Sequence, residues 1–260
     1  VDNRRSHMLK DKCVVVGVTG GIAAYKTASL VSALKKECAD VHVIMTKNAT
    51  EFISPLVFET LTGNKCMTDT FDRDFKFDVA HISIAKAADY FVVAPATANF
   101  IAKASYGMAD DMLTTTFLAA NCPKLVVPAM NTQMFLNPIT QGNIMRFLKV
   151  GIRVMQPSSG ALACGDVGVG KMPEPEAIWE EILFDLAYAK DLAGKKVLVT
   201  AGATQEAIDP VRYITNHSTG RMGYAMAKAA AYRGAQVTLI TGKTSLEPIP
   251  YVNTTQITTS

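Results

Sequence analysis

The sequence lacks most of the features that announce a partner or a compartment. No apolar run reaches the roughly 18–20 residues a membrane-spanning helix needs, so no membrane partner is expected. The net charge is only +3 and no basic run or basic amphipathic stretch is present. That excludes a strong case for nucleic acid or an anionic lipid surface. The opening "VDNRRSHMLKDK" has no apolar centre of a signal peptide. "RRSHM" reads as cloning residue, with native sequence from about Met8. The five cysteines (Cys13, Cys38, Cys66, Cys122, Cys164) are odd in number and widely spaced, with no CxxC pair. This spacing speaks against a zinc site or a disulfide framework, so no metal ligand is nominated, and it suits a reducing cytoplasm.

What is present is the composition of a globular chain: 260 residues, 49% hydrophobic and 19% charged. Apolar runs alternate with amphipathic stretches. "CVVVGV" (13–18), "DVHVIMT" (40–46), "DYFVVAP" (89–95), "PKLVVPA" (123–129) and "GIRVMQP" (151–157) read as strands. Between and after them, residues 22–37, 110–121, 138–150 and 174–190 have helical spacing. Strands separated by helices imply βαβ units and a parallel sheet. "DLAGKK" breaks the pattern near residues 191–194, and "KVLVTAGAT" (196–204) begins a second α/β unit. The expected domains are 8–190 and 191–260, the second incomplete, because about seventy residues bury too little for a whole domain.

The chemically suggestive residues gather where strands end, which is where open parallel sheets bind ligands. "TGGIAAYK" follows the first strand, and Gly20 and Gly21 allow amides to point inward at a helix start, as a phosphate site requires. Ala23 and Ala24 occupy the region of the third glycine of GxGxxG, which weakens a dinucleotide reading. A tight strand-to-helix turn is the plain alternative. Thr97 and Asn99 in "PATANF" and Asn131 in "PAMNTQMF" are either ligand contacts or helix caps, and Asp110 in "GMADD" is an expected N-cap. His81 is either an acid–base group or a satisfied structural histidine. Cys164, in the glycine-rich "SSGALACGDVGVGKM" (158–172), is a thiol on a segment read as a mobile loop. At an ordinary thiol pKa of about 8.5 it is mostly protonated at neutral pH unless perturbed, and so can serve as a proton donor. The alternative is a small residue in a flexible loop.

These pieces in this order ("TGGIAAYK", His81 in "HI", "PATANF", "GMADD", "PAMNTQMF" and "ACGDVGVGKM") resemble the flavin-containing cysteine decarboxylases. More closely, they resemble bacterial bifunctional proteins joining phosphopantothenoylcysteine decarboxylase to phosphopantothenate–cysteine ligase. "VLVTAGATQEAIDPVRYITNHSTGRMG" (197–223) is similar to the ligase entry segment. The resemblance implies a flavodoxin-like, Rossmann-like parallel sheet with helices on both faces, followed by a partial α/β unit. It implies FMN bound by Gly20, Gly21, Ile22, Thr46, Ala96, Thr97, Ala98, Asn99 and Ala129. The implied substrate is phosphopantothenoylcysteine, met by Asn131, Ala163, Cys164 and Met172, with Cys164, His81 and Asn131 as catalytic residues. Trimer-based homo-oligomers, up to a dodecamer, are implied as well.

Such a reaction needs an electron sink. Direct loss of CO2 would leave an unstabilised carbanion. Two-electron oxidation of the thiol-bearing carbon gives a thioaldehyde, CO2 then leaves, and the enethiol is reduced and protonated. For the second unit the resemblance implies CTP and Mg²⁺, with Gly202, Ala203 and Thr204 near the nucleotide and Asn216 near the acyl-cytidylate. The later lysine-bearing nucleotide segment of that family is absent, so no ligase activity is expected of these residues alone. Phe100, Phe135, Lys171, Arg221, Ala203 and Ala207 depart from the family's frequent residues without removing a proposed chemical group. Alternatives are a flavin-dependent prenyltransferase on the same fold, which would not need the Cys164 segment, a non-catalytic flavin-binding interaction protein, and a plain nucleotide-binding module.

Overall fold

The computed structural model describes residues 8–69, 80–161 and 167–259. The chain divides into two compact units, meeting between Leu186 and Ala187. In the first, β1 (Cys13–Val18) leads through α1 (Ala24–Lys36) to β2 (Asp40–Met45). A 3-10 turn (Lys47–Glu51), α2 (Pro55–Thr62) and α3 (Ala80–Ala87) precede β3 (Tyr90–Ala96). Then come α4 (Ala98–Ser105), α5 (Met112–Ala119), β4 (Lys124–Pro128), α6 (Thr132–Leu136), α7 (Pro138–Lys149) and β5 (Arg153–Val154). A hairpin of β6 (Ser158–Ala161) and β7 (Val167–Lys171) and the helix α8 (Pro175–Leu186) complete it.

The five parallel strands run in the order β2-β1-β3-β4-β5, the flavodoxin-like order with its switch point between β1 and β3. β-Branched residues, which pack well on a pleated surface, supply most of β1 and the centre of β3. The runs are continuously apolar because both faces are covered, so alternation disappears. Val15, Phe91, Val93 and Val126 pack with α4, α5 and α7 through Phe100, Phe117 and Phe147. Phe117 meets the rings of Phe91 and Phe100 edge-on at 5.4 and 5.3 Å. α1 packs against α8, whose buried side chains are Pro175, Ile178, Ile182 and Leu183. At that face the buried Tyr90 hydroxyl donates to Asp185 Oδ2 at 2.5 Å, and Arg153 reaches the same oxygen at 2.5 Å and Glu181 beside it.

Three local expectations are corrected. The fifth strand spans only Arg153–Val154, because only Leu125 and Val126 of β4 pair with it. The N-cap of α5 is Asp111, not Asp110: Asp111 Oδ1 accepts from the Thr114 N–H at 2.7 Å while the Thr114 hydroxyl closes the capping box. Asp110 instead pairs with Lys103 Nζ at 2.7 Å. The described parts of residues 158–172 are not loop but paired antiparallel strands, Ser158↔Lys171 through Ala161↔Val167. Two glycines there are packing positions. A Cβ on Gly168 would come 2.5 Å from Thr132 Oγ1, and one on Gly170 would overlap the Met130 carbonyl oxygen.

The second unit holds β8 (Lys196–Ala201), a short antiparallel pair β9 (Gln205–Ala207) and β10 (Tyr213–Thr215), α9 (Arg221–Tyr232), β11 (Gln236–Thr241) and β12 (Val252–Gln256). Its parallel sheet has the order β12-β11-β8, with α9 against β8 and β11. Leu198 and Met222 stay 65% and 78% exposed, so this unit leaves much apolar surface uncovered.

Candidate functional site

Four chain segments that follow or face strand ends enclose a cavity of about 480 Å³ in the first unit. Gly20, Gly21 and Ile22 come from the turn after β1, with Ala23, Tyr25 and Lys26 of the adjoining α1. Thr97 and Ala98 follow β3; Ala129, Met130, Asn131 and Met134 follow β4; Gly170, Lys171 and Met172 come from the end of β7. Of the residues expected to bind flavin or substrate, Gly20, Gly21, Ile22, Thr97, Ala98, Ala129, Asn131 and Met172 are thus brought together.

Thr19 ties the first two segments. Its hydroxyl donates to the Pro95 carbonyl at 2.8 Å and accepts from the Thr97 N–H at 3.0 Å. Gly20 is required because a Cβ there would lie 2.5 Å from Asn48 Cβ and 2.9 Å from the Asn48 carbonyl carbon. The N-cap of α1, Ala23, offers no side-chain cap, but the Ala24 and Lys26 N–H groups already donate to the Gly21 and Ala23 carbonyls at 2.9 and 3.0 Å, so an anion would meet the glycine turn ahead of the helix rather than its first-turn amides. Thr97 is the N-cap of α4, accepting from the Phe100 N–H at 3.4 Å, and Asn131 is the N-cap of α6, accepting from the Gln133 N–H at 2.8 Å. Both cap a helix and line the cavity, so the two readings of each residue coexist. The roof is held by the Met130 N–H, which donates to the Gly170 carbonyl at 3.0 Å.

The cavity wall also carries charge. Lys26 Nζ, on a side chain only 12% exposed, contacts both Glu174 oxygens at 2.8 Å, and Lys171 Nζ lies 3.3 Å from the same carboxylate. Hydrogen bonds from Lys26 and then Lys171 hold the Glu174 carboxyl below its ordinary value of 4.5. Two cations against one carboxylate leave a net positive wall, suited to an anionic ligand. Lys26, Tyr25, Met134 and Gly170 were not anticipated as cavity residues. A usable signal for the first two was present: they lie in the first turn of the helix that the glycine pair leads into, so the cavity wall continues into α1.

Other expected residues fall elsewhere. Ala96 is buried at the end of β3, Asn99 is exposed on α4, and neither is among the cavity-lining residues. Thr46 follows β2 and its N–H donates to the Val18 carbonyl at 3.0 Å. Its buried Oγ1 has no hydrogen-bond partner among the described residues. His81 belongs to α3, but its side chain, and Ala163 and Cys164 altogether, lie outside the described residues.

In the second unit a cavity of about 650 Å³ opens at the carboxyl ends of β8 and β11 and the N-terminus of α9. Gly202 and Thr204 line it together with residues 217–223, while Ala203 and Asn216 are not among its lining residues. Asn216 Oδ1 accepts from the Ser218 N–H at 2.9 Å. The N-cap of α9 is Gly220, in the left-handed region and without a side-chain cap, so here too a helix start faces a cavity.

A doubly wound sheet with a phosphate-type cradle and an apolar cleft at its switch point defines a nucleotide- or flavin-binding class. The chain belongs to the flavoprotein family: residues 2–186 match the family model described as "Flavoprotein". Residues 192–260 match the model described as "DNA/pantothenate metabolism flavoprotein C-terminal domain". The chain is 47% identical over 245 residues to the coenzyme A biosynthesis bifunctional protein CoaBC of Haemophilus influenzae, covering 94% of this chain and 61% of that protein. It therefore spans about three fifths of the length of such relatives. Among solved structures it resembles a phosphopantothenoylcysteine (PPC) decarboxylase mutant complexed with pantothenoylaminoethenethiol, at TM-score 0.60 and 30% identity over 66% of this chain and 96% of that one. It also resembles the FMN-dependent cysteine decarboxylase SpaF, at TM-score 0.58 and 32% identity over 66% and 95% of the two chains.

A flavin is the group this family implies, and the described residues fit one. The Gly20–Gly21 turn ahead of α1, on the cavity wall, suits its phosphate. Ile22, Met130, Met134 and Met172 offer apolar surface to a flat ring system.

Proposed function

We propose that the chain binds FMN in the first unit's cavity and decarboxylates 4'-phosphopantothenoylcysteine to 4'-phosphopantetheine, a step of coenzyme A biosynthesis. The observation that carries this reading is convergence. Residues 20–22, 97–98, 129, 131 and 172, far apart in sequence and each nominated for flavin or substrate, line one cavity in a member of the flavoprotein family. The relatives named for coenzyme A biosynthesis and for PPC decarboxylation support the substrate.

When bound, FMN supplies a two-electron acceptor and donor, which makes loss of CO2 from the cysteine carboxylate feasible. Gly20, Gly21 and Ile22 would hold the phosphate group of the cofactor. Ile22, Met130 and Met172 keep water from the reacting carbon. Asn131 Oδ1 accepts from the Gln133 N–H, which fixes the side chain's orientation on the cavity wall; its role of meeting the substrate carboxylate rests on the family resemblance. Lys26 and Lys171 make the wall attractive to an anionic substrate. Cys164 donates the final proton to carbon, and His81 assists proton transfer or orients substrate; both roles rest on the family resemblance. The second unit is the part of a ligase half that meets CTP with Mg²⁺ through Gly202, Ala203 and Thr204, with Asn216 near the acyl-cytidylate. The assembly is a trimer-based homo-oligomer in the cytoplasm.

Product analysis tests the assignment. Cys164→Ser is expected to release CO2 from phosphopantothenoylcysteine but to accumulate the oxidised enethiol product. Undiminished formation of phosphopantetheine by that variant would contradict the proton-donor role.

A further inference from the structure

The end of the sheet opposite the cavity carries a group of side chains that the decarboxylation does not use. Cys13 opens β1 and Asp40 opens β2, and the two are directly paired in the parallel register. His42 pairs with Val15 one pleat further on. Residues paired in register, and those two apart on a strand, share a face. Cys13, Asp40 and His42 therefore project from the same face of the sheet. One ligand atom from each (the thiol sulfur, a carboxylate oxygen and a ring nitrogen) lies within 4.8 Å of the other two.

We propose that Cys13, Asp40 and His42 bind one borderline-soft divalent cation of the Zn²⁺ type, in a site remote from the decarboxylation cavity. The donor set is one sulfur, one nitrogen and one oxygen, which suits Zn²⁺ and its analogue Co²⁺ rather than the all-oxygen preference of Mg²⁺ or Ca²⁺. Zn–S of about 2.3 Å and Zn–N or Zn–O of about 2.0 Å place tetrahedral ligands roughly 3.3–3.6 Å apart. The observed spread thus needs to close by little more than about 1 Å. Cys13 and His42 are half-buried and Asp40 is exposed, so the fourth position faces solvent and takes water.

The ligands are already supported from behind. Asn64 Nδ2 donates to Asp40 Oδ1 and to the Val41 carbonyl, both at 2.9 Å, and so fixes the carboxylate to its own strand. His42 Nε2 lies 3.1 Å from Asp40 Oδ2, a contact between two of the ligands themselves that the cation would replace. The Cys13 N–H donates to Asp89 Oδ2 at 2.8 Å, and Asp89 also engages Lys12 at 3.2 Å. Outer contacts of this kind orient metal ligands and hold an adjacent cation elsewhere. On binding, a sulfur–metal bond replaces the S–H bond and the proton passes to buffer. The ligands lie 27 and 29 residues apart in sequence on neighbouring strands, which is why no short metal-binding spacing is visible.

The test is a Co²⁺ titration of the flavin-loaded full chain, read from ligand-field absorption at wavelengths longer than the flavin bands. One equivalent is expected to bind with the intensity of a four-coordinate thiolate site, and Zn²⁺ to abolish the signal. His42→Gln and Cys13→Ser should each weaken binding roughly tenfold or more, whereas Cys38→Ser should not change it. Flavin absorbance and the metal-free unfolding midpoint check that each variant is folded; His42→Gln, at a half-exposed position, is the safer of the two. Absence of a stoichiometric Co²⁺ site in the wild type, or equal affinity in folded His42→Gln, would overturn the proposal.

Discussion

Met130 and Gly170 grip each other through their backbones. The Met130 N–H donates to the Gly170 carbonyl at 3.0 Å, and a Cβ on Gly170 would overlap Met130's own carbonyl oxygen. Gly170 also sits at φ 137°, a conformation that side chains disfavour. Gly170→Ala must either push β7 off the segment after β4 or carry the strain, at a cost of about 1–3 kcal/mol. A lower denaturation midpoint and reduced flavin content are expected. A variant matching wild type in both would show that this contact does not hold the cavity roof.

Thr46 provides a test of the cofactor position that does not depend on catalysis. Its buried hydroxyl lacks a partner among the described residues. Thr46→Val removes that hydroxyl at nearly constant shape. The flavin-free protein should unfold at the same temperature or a higher one, because an unsatisfied polar atom has gone. Flavin affinity should fall by up to about tenfold, the worth of one hydrogen bond. Fluorescence titration with flavin and thermal melting of the flavin-free protein give the two readings. Unchanged affinity would place the cofactor away from Thr46.

Glu174 couples Lys26 on the cavity wall to Lys171 at the end of β7, and its carboxyl is held below 4.5 by those hydrogen bonds. A depressed carboxyl pKa means the link contributes stability above the unfolded-state value and loses it as pH falls through the lower folded-state value. Glu174→Gln should therefore be less stable than wild type at neutral pH. Denaturation curves of the two proteins should converge as pH drops below 4.5. A gap that persists at acid pH would mean Glu174 acts through packing rather than charge.

The Tyr90–Asp185–Arg153 group ties β3 to α8 and β5. Burial, followed by the Asp185 charge, pushes the Tyr90 hydroxyl far above its ordinary value, so it stays a proton donor. Tyr90→Phe removes a hydrogen bond to a charged acceptor and should cost about 1.5–3 kcal/mol in chemical denaturation. Tyr90 opens β3, whereas the cavity lies past the strand's other end. Decarboxylation by the folded variant should therefore be unchanged.

The strands β1 to β4 were legible because buried parallel strands leave continuous β-branched or apolar runs. The β6–β7 pair was not. Its glycines resemble a flexible loop, yet Gly168 and Gly170 are there to admit Thr132 and the Met130 carbonyl, close contacts formed only in three dimensions. Asp110 and Asp111 could not be ranked as caps from sequence, since the choice depends on Lys103 reaching Asp110 from the preceding helix. The glycine turn, "PATANF" and "PAMN" were legible as strand-end motifs, and residues of each line one cavity, though Ala96 and Asn99 do not. Met134 and Gly170 look like ordinary helix and strand residues, and only the fold brings them to the cavity.

The most direct measurement supplies phosphopantothenoylcysteine to the flavin-loaded full chain without any nucleotide and follows CO2 and product together. One CO2 and one phosphopantetheine per substrate consumed are predicted. Flavin-loaded protein that releases no CO2 would contradict the account.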